Sequence, residues 1–237
     1  MDLNLVNGYL IGNEFSGGLK VKVAFTEKSV LYRIPFLETL AKNKRIIHIG
    51  CVDHVELLND KIVSNTWLHK ILKESAKQCI GIDINRTGIE FLMEKGYRDV
   101  YYLDIINDDI PDYIKDQHWD YMILGEILEH VDNPVFFLSA LKAKYANIVD
   151  YLIITVPNAY TLMNLISIFR NTEIINSDHR YWFTPYTLGK ICIISGFNVD
   201  SYYFARKSVI KSVFPIKNFI FRFFPILRDT LIFILKT

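Results

Sequence analysis

Five short apolar runs constrain the fold more than any other feature of this sequence. Ile46 to Ile49, Cys79 to Ile84, Val100 to Leu103, Tyr121 to Leu124 and Leu152 to Val156 are each of strand length. Segments of helical periodicity lie between most of them. Trp67, Leu68, Ile71, Leu72, Ser75 and Ala76 mark one helical face. Ile89, Leu92, Met93 and Gly96 mark another, with Gly96 as a helix stop. Asn133 can cap, and Pro134 open, a helix over Val135 to Tyr145. Apolar strands alternating with helices predict a mostly parallel sheet with both faces covered. Further on, Thr184-Pro185 opens a helix with Leu188, Ile191, Cys192 and Ser195 on one face and Gly196 at its end. Phe197 to Phe204 and Thr230 to Leu235 read as two more strands, completing seven.

Ahead of these elements, residues 27–42 read as a helix with Val30, Ile34, Leu37 and Ala41 on one face. Residues 1–26 are weakly periodic. The division expected is an N-terminal segment and helix over 1–43, a candidate lid, followed by one domain over 44–237. A chain with 51% hydrophobic and 22% charged residues is not disordered. With 27 basic against 26 acidic residues it is not a globally basic nucleic-acid binder, so no nucleic-acid partner is expected. Cys51, Cys79 and Cys192 form no CxxC pair, which argues against a thiolate zinc site and suits a reducing, cytoplasmic setting. Asp2 and Glu14 interrupt residues 1–18, which lack the apolar run of a signal peptide. Tyr151 to Phe169 is uncharged and long enough to span a bilayer. Pro157-Asn158 follows its β-branched run, so it reads as a buried strand, a turn and a helix.

Parallel sheets of this kind place ligands at the carboxyl ends of their strands, so the residues after each strand are the candidates. Gly50-Cys51-Val52-Asp53-His54 follows the first, and a glycine there lets backbone approach a ligand. Asp83 and Ile84 close the second. An acid there can accept hydrogen bonds from ribose hydroxyls, or it can simply cap the next helix. Asp104 and Ile105 follow the third, as an acceptor for an exocyclic amine and an apolar face for a ring. The fourth ends in Gly125-Glu126-Ile127-Leu128-Glu129-His130-Val131, and the fifth in Pro157-Asn158.

Those residues, with His179-Arg180-Tyr181-Trp182-Phe183-Thr184-Pro185 downstream, make the chain resemble class I S-adenosylmethionine-dependent methyltransferases over residues 44–236. It resembles especially the type 11/23-like branch, which includes many small-molecule and glycan methyltransferases. The resemblance implies a Rossmann-like, seven-stranded, mostly parallel sheet with helices on both faces and a last antiparallel strand. It implies S-adenosyl-L-methionine as cofactor, held by Gly50, Cys51, Asp53, Asp83, Ile84, Asp104, Ile105 and Gly125. It departs from the family's acid-x-Gly-x-Gly-x-Gly loop, with His48 for the acid and Val52 and His54 for two glycines. Both side chains are expected to narrow the donor's cleft. Glu56 to Thr66 is expected to delay the helix that follows.

Methyl transfer from a sulfonium is an in-line displacement, so alignment dominates. A base is needed where the acceptor is a hydroxyl. The catalytic candidates are Glu126, His130 and His179, with His130 also readable as a structural residue of its turn and His179 as a loop contact. Asp178 or a nearer acid is expected to orient His179. His48 reads as a satisfied buried histidine, and His69 and His118 as isolated. Glu126, His130, Asp132 and His179 are ligand types, but their spacing matches no compact metal motif, and no metal is expected. The acceptor expected is a small molecule or saccharide, methylated on oxygen. A nicotinamide oxidoreductase would need later glycines that the first loop lacks. A partner protein that has lost donor binding is the alternative, supported by the altered first loop alone. Residues 206–228 carry Arg206, Lys207, Lys211, Lys217, Arg222 and Arg228, no acid, and five phenylalanines, leaving 21 basic against 26 acidic residues elsewhere. That mixture suits either an anionic membrane surface or a sheet cover or dimer face.

Overall fold

The computed structural model describes residues 6–23, 29–207 and 215–237. Its strands are β1 (Leu31–Tyr32), β2 (Arg45–Ile49), β3 (Gln78–Asp83), β4 (Val100–Tyr102), β5 (Trp119–Gly125), β6 (Val149–Pro157), β7 (Asn198–Arg206) and β8 (Thr230–Lys236). They form one mostly parallel sheet in the order β1-β7-β8-β6-β5-β2-β3-β4. Helices α1 (Asn7–Ile11), α2 (Arg33–Ala41), α3 (Val55–Val63), α4 (Leu68–Ser75), α5 (Arg86–Glu94), α6 (Asp112–Lys115), α7 (Pro134–Tyr145), α8 (Leu162–Ile168), α9 (Pro185–Ile194) and α10 (Pro215–Phe223) complete it. All seven strands read from the sequence are present, and α5 and α9 stop just before Gly96 and Gly196 as the pattern predicted.

The eighth strand is a correction. Leu31 and Tyr32, assigned to a helix by periodicity, pair parallel with Ala205 and Arg206. The helix starts at Arg33 and keeps Leu37 and Ala41 fully buried. Backbone pairing along an open sheet edge outweighs a helical periodicity that only α2 needs. Residues 27 and 28 of that expected helix lie outside the described residues.

Contacts divide the chain into two compact units. One comprises Ile34–Gly125 and Ala140–Ile153, with Thr237. Here β2 lies between β3 and β5, parallel to both, and Ile49 is level with Ile82 and with Leu124. Asp83 is level with Tyr102 of β4. The register therefore delivers Gly50, Asp83 and Gly125 to a common edge. Behind that edge Cys51, Leu58, Trp67, Ile89, Leu92 and Val100 pack as one cluster. The helix expected to be delayed is not: α3 begins at Val55, directly after His54, because Leu58 has a place in this cluster.

The other unit comprises the residues up to Arg33, Glu126–Ser139 and Ile154–Lys236. β8 runs antiparallel to β7 with a register shift at Val199 to Ser201, and every β8 residue except Lys236 is buried. Helix α9 opens with a reciprocal capping box between Thr184 and Thr187. Val6 and Leu10 pack with Tyr186, Ile193 and Tyr202, and the Lys190 ammonium donates to the Tyr9 carbonyl. Arg228 is fully buried and donates to the carbonyls of Phe221, Phe204 and Ser29. Among the described residues no helix is long and apolar enough to cross a membrane.

Candidate active site

The first strand end is built around Asp83. Its Oδ2 accepts from Val52 N at 2.9 Å and its Oδ1 from Asn85 N at 2.8 Å. Burial raises its pKa, against the hydrogen bonds from Asn85, Val52 and Ile84. Asp83 thus ties the first loop to the second. Gly50 turns the loop with φ 69°, in the left-handed region, while its N–H donates to the Ile82 carbonyl. Cys51 is buried, its thiol held protonated by burial, and its carbonyl accepts from Trp67 Nε1 at 2.8 Å. Asp53 accepts from His54 N and pairs with Lys61.

Val52 lies against α5 and is accommodated by a second glycine. A Cβ on Gly88 would stand 2.2 Å from Val52 Cγ1. The bulk missing from the helix makes room for the bulk added to the loop. Neither residue alone signals this; the pair does. His54 is exposed.

At the next strand end Asp104 Oδ1 accepts from Ile106 N and Asn107 N, both at 3.0 Å, and Oδ2 from Asn107 Nδ2 at 2.8 Å. Burial would raise its pKa, but these bonds and the Lys144 charge bring it below the ordinary value. Ile84 is exposed at its strand end, whereas Ile105 is buried and its carbonyl accepts from Tyr145 Oη.

The fourth strand end behaves differently. Glu126, one residue past Gly125, adopts φ 62°, a conformation that costs a non-glycine residue roughly 1–2 kcal/mol. Its N–H donates to the Thr155 carbonyl, and its carboxylate lies 3.7 Å from Arg33 Nε and 3.2 Å from Lys207 Nζ. Burial opposes ionisation there, but the two cations win and lower its pKa.

Glu129, in the 3₁₀ turn that follows, is fully buried, and among the described residues neither carboxylate oxygen has a hydrogen-bond partner. Burial pushes its carboxyl up to about 8, with the Glu126 charge adding to the effect. His179 brings Nε2 to 4.0 Å from Glu129 Oε1 and stacks edge-on against His130 at 4.8 Å between centroids. Burial and the adjacent His130 lower the His179 pKa, which keeps this ring neutral at pH 7. Its Nδ1 is buried and has no partner among the described residues.

The downstream loop reaches this turn because Arg180 N donates to the Glu129 carbonyl, the Arg180 guanidinium to the His130 carbonyl, and Tyr181 Oη to the Asp132 carbonyl. Asp178 sits 3.2 Å from His130, so the nearer acid beside His179 is Glu129. Asp132 pairs instead with Arg180 at 2.7 Å. Glu129, His130 and His179 each offer one ligand atom, all within 4.8 Å of one another. The sequence showed Glu129 inside its motif but gave it no role. Two glutamates three residues apart could have prompted one, since only one can share the exposed side of a tight turn.

Of the other histidines, His48 Nδ1 lies 3.3 Å from His69 Nδ1, both rings buried. His69 is not isolated: its Nε2 sits 3.1 Å from Asp99 Oδ2, a pairing between residues 30 apart that spacing could not reveal. His118 likewise pairs with Asp150 at 2.8 Å.

No protein-family model matches the chain, and no curated protein does. Solved structures do. It is similar to an S-adenosylmethionine-dependent methyltransferase, possible histamine N-methyltransferase, from Thermotoga maritima, at 13% identity and TM-score 0.54 over 86% of each chain. It is similar to magnesium protoporphyrin IX methyltransferase from Synechocystis PCC 6803 with bound S-adenosylhomocysteine, at 14% identity and TM-score 0.51 over 86% of this chain and 80% of that one. A third match is a putative S-adenosylmethionine-dependent methyltransferase from Listeria monocytogenes, at 13% identity and TM-score 0.50 over 86% and 96%. The chain has the class I methyltransferase fold. Gly50, Asp83 and Asp104 lie just past the carboxyl ends of their strands, where open sheets of this kind place ligands.

Beyond the strand ends, Tyr9, Phe15, Tyr160, Thr184, Tyr186 and Lys190 line part of an open groove of about 610 Å³.

Proposed function

We propose that this chain is an S-adenosylmethionine-dependent methyltransferase acting on a hydroxyl of a small molecule or saccharide. The observation that carries the reading is the Asp83 clamp, which holds the altered first loop in place while Gly88 takes up Val52. The loop's departures therefore need not cost it the donor. Each Asp83 oxygen keeps lone-pair capacity for a ribose hydroxyl beyond its one backbone bond. S-adenosylmethionine supplies an activated methyl group. Asp83 and Asp104 are the acceptors offered to its nucleoside, and Gly50 keeps the loop backbone open to it.

On the acceptor side, neutral His179 is the proton acceptor, and the ionised Glu126 carboxylate favours the imidazolium that results. Glu126 stays ionised between Arg33 and Lys207 and serves as a fixed negative charge. The mixture of tyrosine rings, hydroxyls and Lys190 in the groove suits a saccharide, which presents apolar C–H faces and hydroxyl edges.

A second reading has one observation in its favour. An unpartnered buried carboxylate is costly, and Glu129, His130 and His179 form a nitrogen and oxygen donor set suited to a divalent cation. A cation there would polarise the acceptor hydroxyl.

Calorimetry with S-adenosylhomocysteine tests the proposal. Micromolar binding that Asp83→Ala weakens about 10- to 100-fold supports the enzyme. No binding by folded wild-type protein rejects it in favour of a partner protein that has lost the donor site.

A further inference from the structure

Helix α8 is inside out. Its one buried residue is Ser167, whose hydroxyl is spent on the Met163 carbonyl. Apart from half-buried Leu162, its apolar side chains face solvent: Met163, Leu165 and Ile166 are exposed, Ile168 is 67% exposed and Phe169, just beyond, is 83%. A helix that belonged only to this fold would turn the opposite face inward.

A second exposed apolar element leaves the same junction. Asn158 Nδ2 donates to the carbonyls of Ile226 and Arg228, and Thr161 Oγ1 to Asp229. These bonds bring the start of α8 beside the segment that follows α10. There Phe221 is buried under the Arg206 guanidinium, 3.8 Å from its ring, while Phe219, Phe223 and Phe224 are each more than half exposed. The described basic side chains of the segment divide between pairs, core and solvent, with Lys211 and the Lys217 side chain outside the described residues. Arg206 pairs with Asp229, Lys207 with Glu126, and Arg228 is buried in the fold. Arg222 is exposed on α10, and Arg170 ends the α8 segment.

The charge pattern selects the occupant. Residues 154–172 contain no acid and one base, Arg170, and residues 206–228 contain no acid. A protein partner would be free to bring either sign, whereas exposed phenylalanines and isoleucines with the exposed Arg170 and Arg222 among them match an anionic phospholipid surface. We propose that α8 with Phe169, and the end of α10 with Phe223 and Phe224, form a bilayer-docking surface. The apolar side chains enter the headgroup boundary, and Arg170 and Arg222 meet lipid phosphates. The docking does not require the methyl donor, so its test stands apart from the methyltransferase reading.

The test is flotation of the full chain with vesicles of phosphatidylcholine alone or with added phosphatidylserine, beside size-exclusion chromatography of the free protein. Wild type is expected to float with the anionic vesicles and to be released by high salt. Ile168→Ser/Phe169→Ser and Phe223→Ser/Phe224→Ser are each expected to weaken recovery about tenfold or more. Arg170→Glu and Arg222→Glu should each weaken it about fivefold or more without touching an apolar group, which covers the case in which a serine variant misfolds. Failure of wild type to float, or unchanged flotation of folded variants, overturns the proposal. So does a stable dimer dispersed by the serine substitutions and indifferent to vesicles, which would make the face a contact between copies.

Discussion

Two groups of carboxylates flank strand ends in this molecule, and they are treated in opposite ways. Asp83 and Asp104 are partnered by their own chain: backbone N–H groups of Val52, Asn85, Ile106 and Asn107, and the Asn107 side-chain amide, donate to their oxygens. Glu129 is sealed from solvent with nothing among the described residues donating to either oxygen, beside a neutral imidazole whose Nδ1 is equally bare among them. The first arrangement shapes a loop. The second stores an unmet demand for a proton or a cation. A satisfied carboxylate is a structural part that can also serve a ligand, whereas an unsatisfied one is stable only because its surroundings hold it there.

The comparison breaks most sharply at Asp83. Asp83→Ala should lower S-adenosylhomocysteine affinity about 10- to 100-fold, the worth of charge-assisted hydrogen bonds. It should also cost about 1–3 kcal/mol of stability by orphaning two N–H groups. Calorimetry and urea denaturation read the two effects separately.

Glu129→Gln should change the pH dependence of stability. The folded carboxyl titrates near 8 against an ordinary 4.5, so between those values the native state holds a proton that the unfolded state has released. Stability from this group is complete below the lower value and is lost as pH rises through the higher one, at up to about 1.4 kcal/mol per pH unit. Glu129→Gln should flatten that fall in melts taken across the window. If the cluster takes a cation, magnesium or manganese should raise the wild-type melting temperature and leave Glu129→Gln unmoved.

Gly88→Ala should cost about 1–3 kcal/mol by driving a methyl group into Val52. Pairing it with Val52→Ala should recover most of that loss. Asp53→Ala, which removes a partly exposed pair with Lys61 and a local hydrogen bond from the exposed His54 N, should cost less than about 1 kcal/mol.

Much of this molecule was legible because it is locally encoded. Asn133 accepts from Phe136 N at the start of α7, Thr184 caps α9, and each strand run became a strand. The exceptions all depend on distant partners. Leu31 and Tyr32 left a helical pattern for a strand edge some 170 residues away. Val52 looked obstructive until Gly88 was placed beside it. Glu129 gained a role only when the Arg180 hydrogen bonds carried His179 over it. The Tyr151 to Phe169 stretch did fold as a buried strand, a turn and a helix, and nothing in its local pattern signalled that the helix would expose most of its apolar side chains.

The pairing of Leu31-Tyr32 with Ala205-Arg206, and the reach of Arg228 to Ser29, have a consequence during synthesis. A ribosome delivers Ser29 long before Arg228, so this corner of the protein waits without its partners while most of the chain emerges. Closing a loop of that length comes late and slowly, and until it closes, the β7 edge stays open to rival strands.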